Sequence, residues 1–408
     1  KNKKINLFNL NNLFFINCCF PWVSFSIIKS DSQPYYTIMG LVILLFYSKI
    51  NLPKPIAYSI LITSIGIPIS ILFNQNDSFL VFKNLYNFIS FYIVLIVSYS
   101  LIRVNGQREK LLNILKISNY IYIFFALIQI YFPDIIYFIC KFQMGQGRGL
   151  TSLTPEPGFF GIYLIASSML IILLNNFSVK KDARIHLINI ISIIFLALSI
   201  MNFLYLLTFL FSFCVFKVLS LKIYKSYIFL LPILILLFTG IIYFDDFLSN
   251  YRIYDLGKVI LLNPYKFLVG SIGDNSSFWR IADIIYPLQI SINNFFFPQG
   301  FSGLLFKEGN VNFQSIFENY NSTIMSWLSS WIFSLGIFGI ISLSTIFKSI
   351  LKNYKSFKEY FFIYCFLIFT LTSIPLSFPL IPIIISVLLK GNSLGMNENN
   401  KLKLTVDK

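Results

Sequence analysis

Gly147-Arg148-Gly149-Leu150-Thr151-Ser152-Leu153-Thr154-Pro155-Glu156-Pro157-Gly158-Phe159-Phe160-Gly161 is the stretch on which the reading of this chain turns. Arg148 and Glu156 stand eight residues apart among glycines, prolines and small hydroxyls, and an apolar run to about Phe177 follows at once. Ionisable side chains are costly beside a membrane-length apolar segment unless they are used or paired. One use is structural: a salt bridge that pins the loop to a helix start, where Glu156 also suits the helix dipole. The other is chemical, and it gains weight from a second arginine-bearing loop further along.

Outward from this stretch, the chain is lipid-soluble. Of its 408 residues 57% are hydrophobic and 12% charged, with a mean hydropathy of +0.76. Soluble domains carry about 25% charged residues, so an ordinary soluble domain is excluded. Repeated uncharged runs of around 20 residues instead predict a polytopic all-α membrane protein. The formal charge of +16 does not point to nucleic acid, because the basic residues lie in short links between apolar runs, as in cytoplasmic loops. Five cysteines show no metal-ligand spacing and no disulfide framework. The start, Lys-Asn-Lys-Lys before apolar sequence, reads as an uncleaved first span.

The expected spans are residues 6–28 (broken by Pro21), 35–48, 56–73, a fourth ending near Ile102, 117–132, and a sixth ending before Lys180. Two uncharged or nearly uncharged runs, 187–216 and 360–389, are too long for one crossing and have basic residues at both ends. Each is therefore expected to cross twice, the first turning near Ser199-Ile200-Met201-Asn202, the second broken by Pro375, Pro379 and Pro382. Residues 227–244 and 322–347 supply the ninth and tenth spans. The count is about twelve, with ten or eleven as alternatives. Both termini fall in the cytoplasm. The links assigned to the inside carry 23 Lys and Arg against 5 Asp and Glu, and those outside 9 against 11. The resulting divisions are 1–244 with the outer loop 133–158, a large outer loop 245–321, C-terminal spans 322–390 and a tail 391–408.

The large outer loop contains Asp274-Asn275-Ser276-Ser277-Phe278-Trp279-Arg280-Ile281-Ala282-Asp283-Ile284-Ile285. Its apolar residues 278, 281, 282 and 285 recur at helical spacing and predict an amphipathic helix carrying Arg280. Pro298-Gln299-Gly300-Phe301-Ser302-Gly303 follows as a turn. An arginine fork matches phosphate oxygens and stays charged. Two of them on the outer face suit a lipid-linked diphosphate, whose tail needs an apolar groove. The plainer alternative for Arg280 is contact with lipid headgroups.

These motifs resemble the O-antigen polymerase and O-antigen ligase superfamily of membrane glycosyltransferases. The resemblance rests on Arg148, Gly149-Leu150, Glu156-Pro157-Gly158 and Phe159-Phe160, on Arg280 with its following turn, and on Gly336-Ile337-Phe338-Gly339. It implies a GT-C-like helical fold in the bacterial inner membrane, with a large periplasmic loop. It also implies an undecaprenyl-diphosphate-linked oligosaccharide as substrate, and a flippase and a chain-length regulator as pathway partners. Ligases of the superfamily usually carry a histidine near the end of the large loop, where this chain has Glu318-Asn319-Tyr320-Asn321. Its single histidine, His186, sits in a basic link and reads as a solvated residue. The expected activity is therefore that of a polymerase, with ligase as the alternative and a polysaccharide transporter or flippase as the reading of another class.

Arg148 and Arg280 are the expected diphosphate contacts, and Glu156 either orients Arg148 or accepts the acceptor's proton. Gly149, Thr151 and Ser152 in the first loop, Asp274 and Asp283 in the second, and Tyr320 and Asn321 at the mouth of the tenth span are the expected substrate contacts. The chain has no Asp-x-Asp pair, so no metal or other cofactor is expected.

Overall fold

The computed structural model of the chain describes residues 7–23, 33–46, 52–72, 78–104, 106–134, 139, 149–199, 202–203, 205–206, 208–209, 275–301, 324–372 and 374–391. Every regular element among them is helical. The helices are α1 (Leu7–Cys19), α2 (Tyr35–Phe46), α3 (Lys54–Leu72), α4 (Ser78–Leu101), α5 (Gln107–Tyr131) and α6 (Pro157–Leu174). A 3-10 turn (Lys180–Asp182) then leads into α7 (Ala183–Ser192), which closes in a π-turn at Ile193–Ala197. Beyond lie α8 (Asn275–Asn293), α9 (Trp327–Leu335), α10 (Ile337–Lys352), α11 (Phe357–Leu371) and α12 (Leu380–Lys390). Helices α3, α4, α5 and α6 are long and apolar enough to cross a membrane. The expected ninth span, residues 227–244, and the tail after residue 391 lie outside the described residues, as does most of the expected large loop.

The bundle has two chemically distinct ends. Neighbouring helices α5 and α6 run antiparallel. At one end Arg108 Nε and Nη2 donate to the carbonyl of Leu174, the last residue of α6, at 3.1 and 2.7 Å. At the other, Gln129 meets Thr151. The Arg108 end also collects the C-termini of α4, α10 and α12 and the starts of α3, α7 and α11. Tyr354 donates to Leu388 at 3.0 Å, Asn353 to Leu389 at 2.8 Å, and Lys390 to Ile102 at 2.7 Å. Among the described residues this end holds thirteen Lys and Arg but only Glu109, Asp182 and Glu359 as acids. The opposite end holds Lys83 and Arg280 against Asp134, Glu156 and Asp283.

Helix α12 is the centre of the packing. Residues Leu380 to Leu389 are all buried, as suits a helix that is apolar on every side. The lipid-compatible surface is elsewhere: Ile117, Tyr120, Phe124, Leu127 and Tyr131 form one exposed stripe on α5. The opposite face of α5 is polar and buried, with Ser118, Asn119, Tyr122 and Gln129. Inward polar and outward apolar faces are the arrangement expected when lipid replaces water around a bundle. A second polar junction ties α3, α4 and α10, where the hydroxyls of Ser59, Thr63, Tyr92 and Ser342 lie 2.6–3.1 Å from one another.

Three details differ from the sequence reading. The apolar run 322–347 is not one helix, for it breaks at Gly336, whose φ of 56° ends α9 and starts α10. Ser326, the cap of α9, donates to the carbonyl of Leu371 at the end of α11. Helices α10 and α11 are joined by the short turn 353–356, so α9 lies across their far ends. Helix α5 begins at Gln107, so Arg108, Lys110 and Lys116 belong to the helix rather than to a link. His186 is not solvated: it lies in the first turn of α7 and is 7% exposed.

The described residues on either side of 200–201 reach the same end of the bundle. Leu196 reaches Leu150 and Asn202 reaches Gly158, both at the Glu156 end. Tyr205 then meets Phe369 and Phe209 meets Phe361, so the chain descends along α11 towards the Arg108 end. Leu198 takes up the reversal with a left-handed φ of 45°.

Candidate functional site

The loop 149–156 is held from both sides by hydrogen bonds to neighbouring segments. The Gln129 side-chain carbonyl accepts from the backbone N–H of Thr151 at 2.9 Å and of Ser152 at 2.8 Å, and its amide donates to Thr151 Oγ1 at 3.0 Å. Ser152, at φ 54°, turns its hydroxyl onto the carbonyl of Tyr122. From the other side, Leu150 N–H donates to the carbonyl of Leu196 at 2.7 Å. Gly149 makes this approach possible, because a Cβ there would fall 2.1 Å from the carbonyl oxygen of Ala197. Thr151, Ser152 and Thr154 are fully buried. Their hydroxyls are engaged within the loop and its anchors.

The loop delivers Glu156 to the start of α6. Glu156 is the N-cap residue, extended at φ −141°, and Pro157 occupies the first helical position, where its missing N–H costs nothing. Its carboxylate makes no cap hydrogen bond. It points across to α8, where Arg280 Nη2 donates to Oε2 in an ion pair. The two side chains are 25% and 18% exposed, so the pair is sheltered yet reachable. The guanidinium carbon lies 5.6 Å from the centre of the Phe159 ring. That ring stacks on Trp22 at 5.6 Å, and Trp22 on Phe378 at 5.3 Å. The arginine therefore tops an aromatic column drawn from four distant parts of the chain, a cation–π arrangement that fixes its plane.

Helix α8 presents a polar line inwards. Arg280, Asp283, Pro287 and Ser291 share one face at helical spacing, with Asp283 at 1% and Ser291 at 0% exposure, whereas Ile285 is 45% exposed. Three contacts seat the helix and its following turn on α9 and α10. Ser329 Oγ donates to Ile284 at 3.2 Å, Gln299 N–H to Phe333 at 3.0 Å, and Ile337 N–H to Phe296 at 2.8 Å. The turn residues Phe295 and Phe296 are both left-handed, and a Cβ on Gly336 would lie 2.2 Å from the carbonyl oxygen of Phe296.

The structure thus brings Glu156 and Arg280 together, with Gly149, Thr151 and Ser152 building the loop beneath them and Asp283 buried one turn further along α8. Among the described residues Glu156 pairs with Arg280, a pairing that the sequence reading did not name. Arg148, Asp274, Tyr320 and Asn321 lie outside the described residues. Gln129, Trp22, Phe378 and Asn202 escaped the sequence reading as parts of this site. An amide such as Gln129 within an apolar span is a signal for a buried polar partner. Asn202 donates to the carbonyl of Gly158 at 2.9 Å, over Gly161, where a Cβ would lie 2.0 Å from the Asn202 amide nitrogen.

Chemically, a paired arginine with further N–H groups can bind an oxyanion without a metal, and a carboxylate beside it can receive a proton. The fold and this pair define an all-helical membrane-type bundle with a polar centre at its less basic end. No known protein family, curated protein or solved structure matches the chain.

Proposed function

We propose that the chain is a polysaccharide polymerase of the bacterial inner membrane, a metal-independent glycosyltransferase with a GT-C-like arrangement of about twelve spans. It joins oligosaccharide repeat units carried on undecaprenyl diphosphate, and the Glu156 end faces the periplasm. The observation that carries this reading is the Glu156–Arg280 pair, assembled from the N-cap of α6 and from α8 at one end of a membrane bundle and backed by an aromatic column. The excess of Lys and Arg at the opposite end supports the orientation, since such residues are retained on the cytoplasmic side.

In this reading a hydroxyl oxygen of the acceptor sugar bonds to the anomeric carbon of the donor glycan. The bond from that carbon to the diphosphate oxygen breaks, and the lipid diphosphate leaves with the electron pair. Arg280 and Arg148 stabilise the charge that builds on the leaving diphosphate, an electrostatic contribution aimed at the transition state. Glu156 orients Arg280 and, once diphosphate competes for the guanidinium, is placed to take the hydroxyl proton. The sequence resemblance to the superfamily, sharpest around residues 147–161, 274–303 and 322–340, supports this reading.

The decisive experiment is product analysis after deletion of the gene. A polymerase deletion leaves single repeat units that still reach their final acceptor. Long glycan stranded on its lipid carrier identifies a ligase, and unprocessed repeat units confined to the cytoplasmic leaflet identify a flippase.

A further inference from the structure

On the Arg108 side of the bundle, α5, α6 and α7 enclose a polar seam that the proposed reaction does not use. At its mouth Asp182 pairs with Lys116 at 2.7 Å and accepts from Asn175 at 2.6 Å. One helical turn deeper on α7 lies His186, then Asn189 and Ser192, which share its face and are 1% and 3% exposed. Across from them Asn119 of α5 accepts from Ser167 of α6 at 2.7 Å, and Asn189 donates to Ser168 of α6 at 2.8 Å.

These groups are not saturated by one another. Nδ1 and Nε2 of His186, Oδ1 of Asn189 and Nδ2 of Asn119 are buried and meet no hydrogen-bonding partner among the described residues. Buried polar atoms that protein does not satisfy are generally met by ordered water, which takes about three hydrogen bonds per molecule. A seam that offers donors from one helix and acceptors from another, opening at a charged mouth, suits such molecules. An apolar seal would leave the imidazole with neither nitrogen bonded.

We propose that this seam is a water-binding inlet from the Arg108 end, in which ordered water joins His186 to Asn189 and Asn119 and exchanges protons with the solvent beyond Asp182. Asp182 on the preceding 3-10 turn is the charged group that acts on His186, and Lys116 on α5 pairs with that carboxylate. α6 contributes Ser168 there, and its C-cap residue Asn175 bonds Asp182. Burial pushes the imidazole below its ordinary range and the Asp182 carboxylate opposes that shift. A proton arriving on His186 therefore competes with Lys116 for Asp182. The inlet gives the chain a titrating group well inside its packing, independent of the Glu156–Arg280 centre.

The test exploits the fact that the chain has one histidine. Deuterium exchange at the imidazole C2 position, read by mass spectrometry on the full chain in lipid nanodiscs, reports His186 alone. The expected result is measurable exchange with a sigmoidal dependence on pH between about pH 5 and 8, the range in which histidine titrates. In Asp182→Asn the midpoint shifts downward, because the carboxylate that favours the imidazolium is gone. In Asn189→Leu the apolar side chain displaces water and exchange slows. Exchange that is absent at every pH in the unaltered chain overturns the proposal, since a dry imidazole neither titrates nor exchanges. An unchanged midpoint in Asp182→Asn overturns the coupling to the mouth.

Discussion

Glu156 and Arg280 are 124 residues apart in sequence and form an ion pair between the N-cap of α6 and the second turn of α8. The pair defines the geometry of this end of the bundle. Glu156 is immobilised by Pro157 and by a loop that Gln129 holds through three hydrogen bonds. Arg280 is fixed by the Phe159 ring and by α8's seating on α9. An ion pair placed between two rigid supports has lost little side-chain freedom on forming, which is where exposed pairs lose most of their value.

Substitutions separate a structural pin from a binding fork. With Arg280 serving diphosphate, Arg280→Lys keeps the charge but not the planar fork, and polymer synthesis falls by about a hundred- to thousandfold, the scale of losing one oxyanion donor. A mere pin predicts near-normal polymer from Arg280→Lys. It also predicts that Glu156→Gln with Arg280→Ala is milder than Arg280→Ala alone, since no sheltered charge is left unpaired. Polymer length at matched membrane levels distinguishes the two.

Gly149→Ala tests the loop's support. The added Cβ is directed at the Ala197 carbonyl at 2.1 Å, a backbone atom that cannot rotate away. The loop must lift from the 193–197 turn and break the Leu150–Leu196 bond, at a cost of about 1–3 kcal/mol for overpacking. Thermal unfolding in detergent should shift downward accordingly. Gly106→Ala is the control: it has nothing within 4 Å but a φ of +78°, so it carries only the smaller left-handed penalty of about 1–2 kcal/mol.

Lys390 supplies a pH dependence. Burial, followed by the charges of Arg108 and Arg103, lowers its ammonium to about 8 in the folded chain, whereas an unfolded lysine titrates at about 10.4. The unfolded state thus holds the proton more tightly, and stability rises with pH through the window from about 8 to about 10.4. Unfolding midpoints measured across that window should climb in the unaltered protein. In Lys390→Met the climb should be absent.

How much of this was legible in the sequence depended on range. Apolar runs, basic links and Pro157 place most helices within a few residues, because those signals are local. The reversal after Leu196 follows from the length of an uncharged run with basic residues at both ends. The pairing of Glu156 with Arg280 was not legible. Nothing local encodes a pairing across 124 residues. His186 looked solvated because its flanks are basic. Its helical phase with Asn189 and Ser192, two polar residues at the same spacing, was the available sign of a buried face. The break at Gly336 was hidden inside an apolar run that reads as continuous.

That break gives the last prediction. Gly336 adopts φ 56° and ψ −131°, a conformation open to glycine and strained for any residue with a Cβ. A Cβ there would also fall 2.2 Å from the Phe296 carbonyl oxygen and 2.6 Å from Pro298 N. Gly336→Ala therefore meets two penalties. The chain can escape them only by straightening α9 into α10 or by releasing the turn 294–298. Either outcome breaks the Ile337–Phe296 and Gln299–Phe333 hydrogen bonds and so frees α8, which carries Arg280. Function should suffer more than assembly, because α10 remains clamped to α3 by the Ser59, Thr63 and Ser342 hydroxyls. The expected result is a correctly inserted protein with polymer synthesis reduced at least as far as in Arg280→Ala. A disulfide trap between introduced cysteines at 284 and 329, whose residues touch through Ser329 Oγ, should form readily in the unaltered background and poorly in Gly336→Ala. Efficient trapping together with normal polymer in Gly336→Ala would show that the break does not position α8.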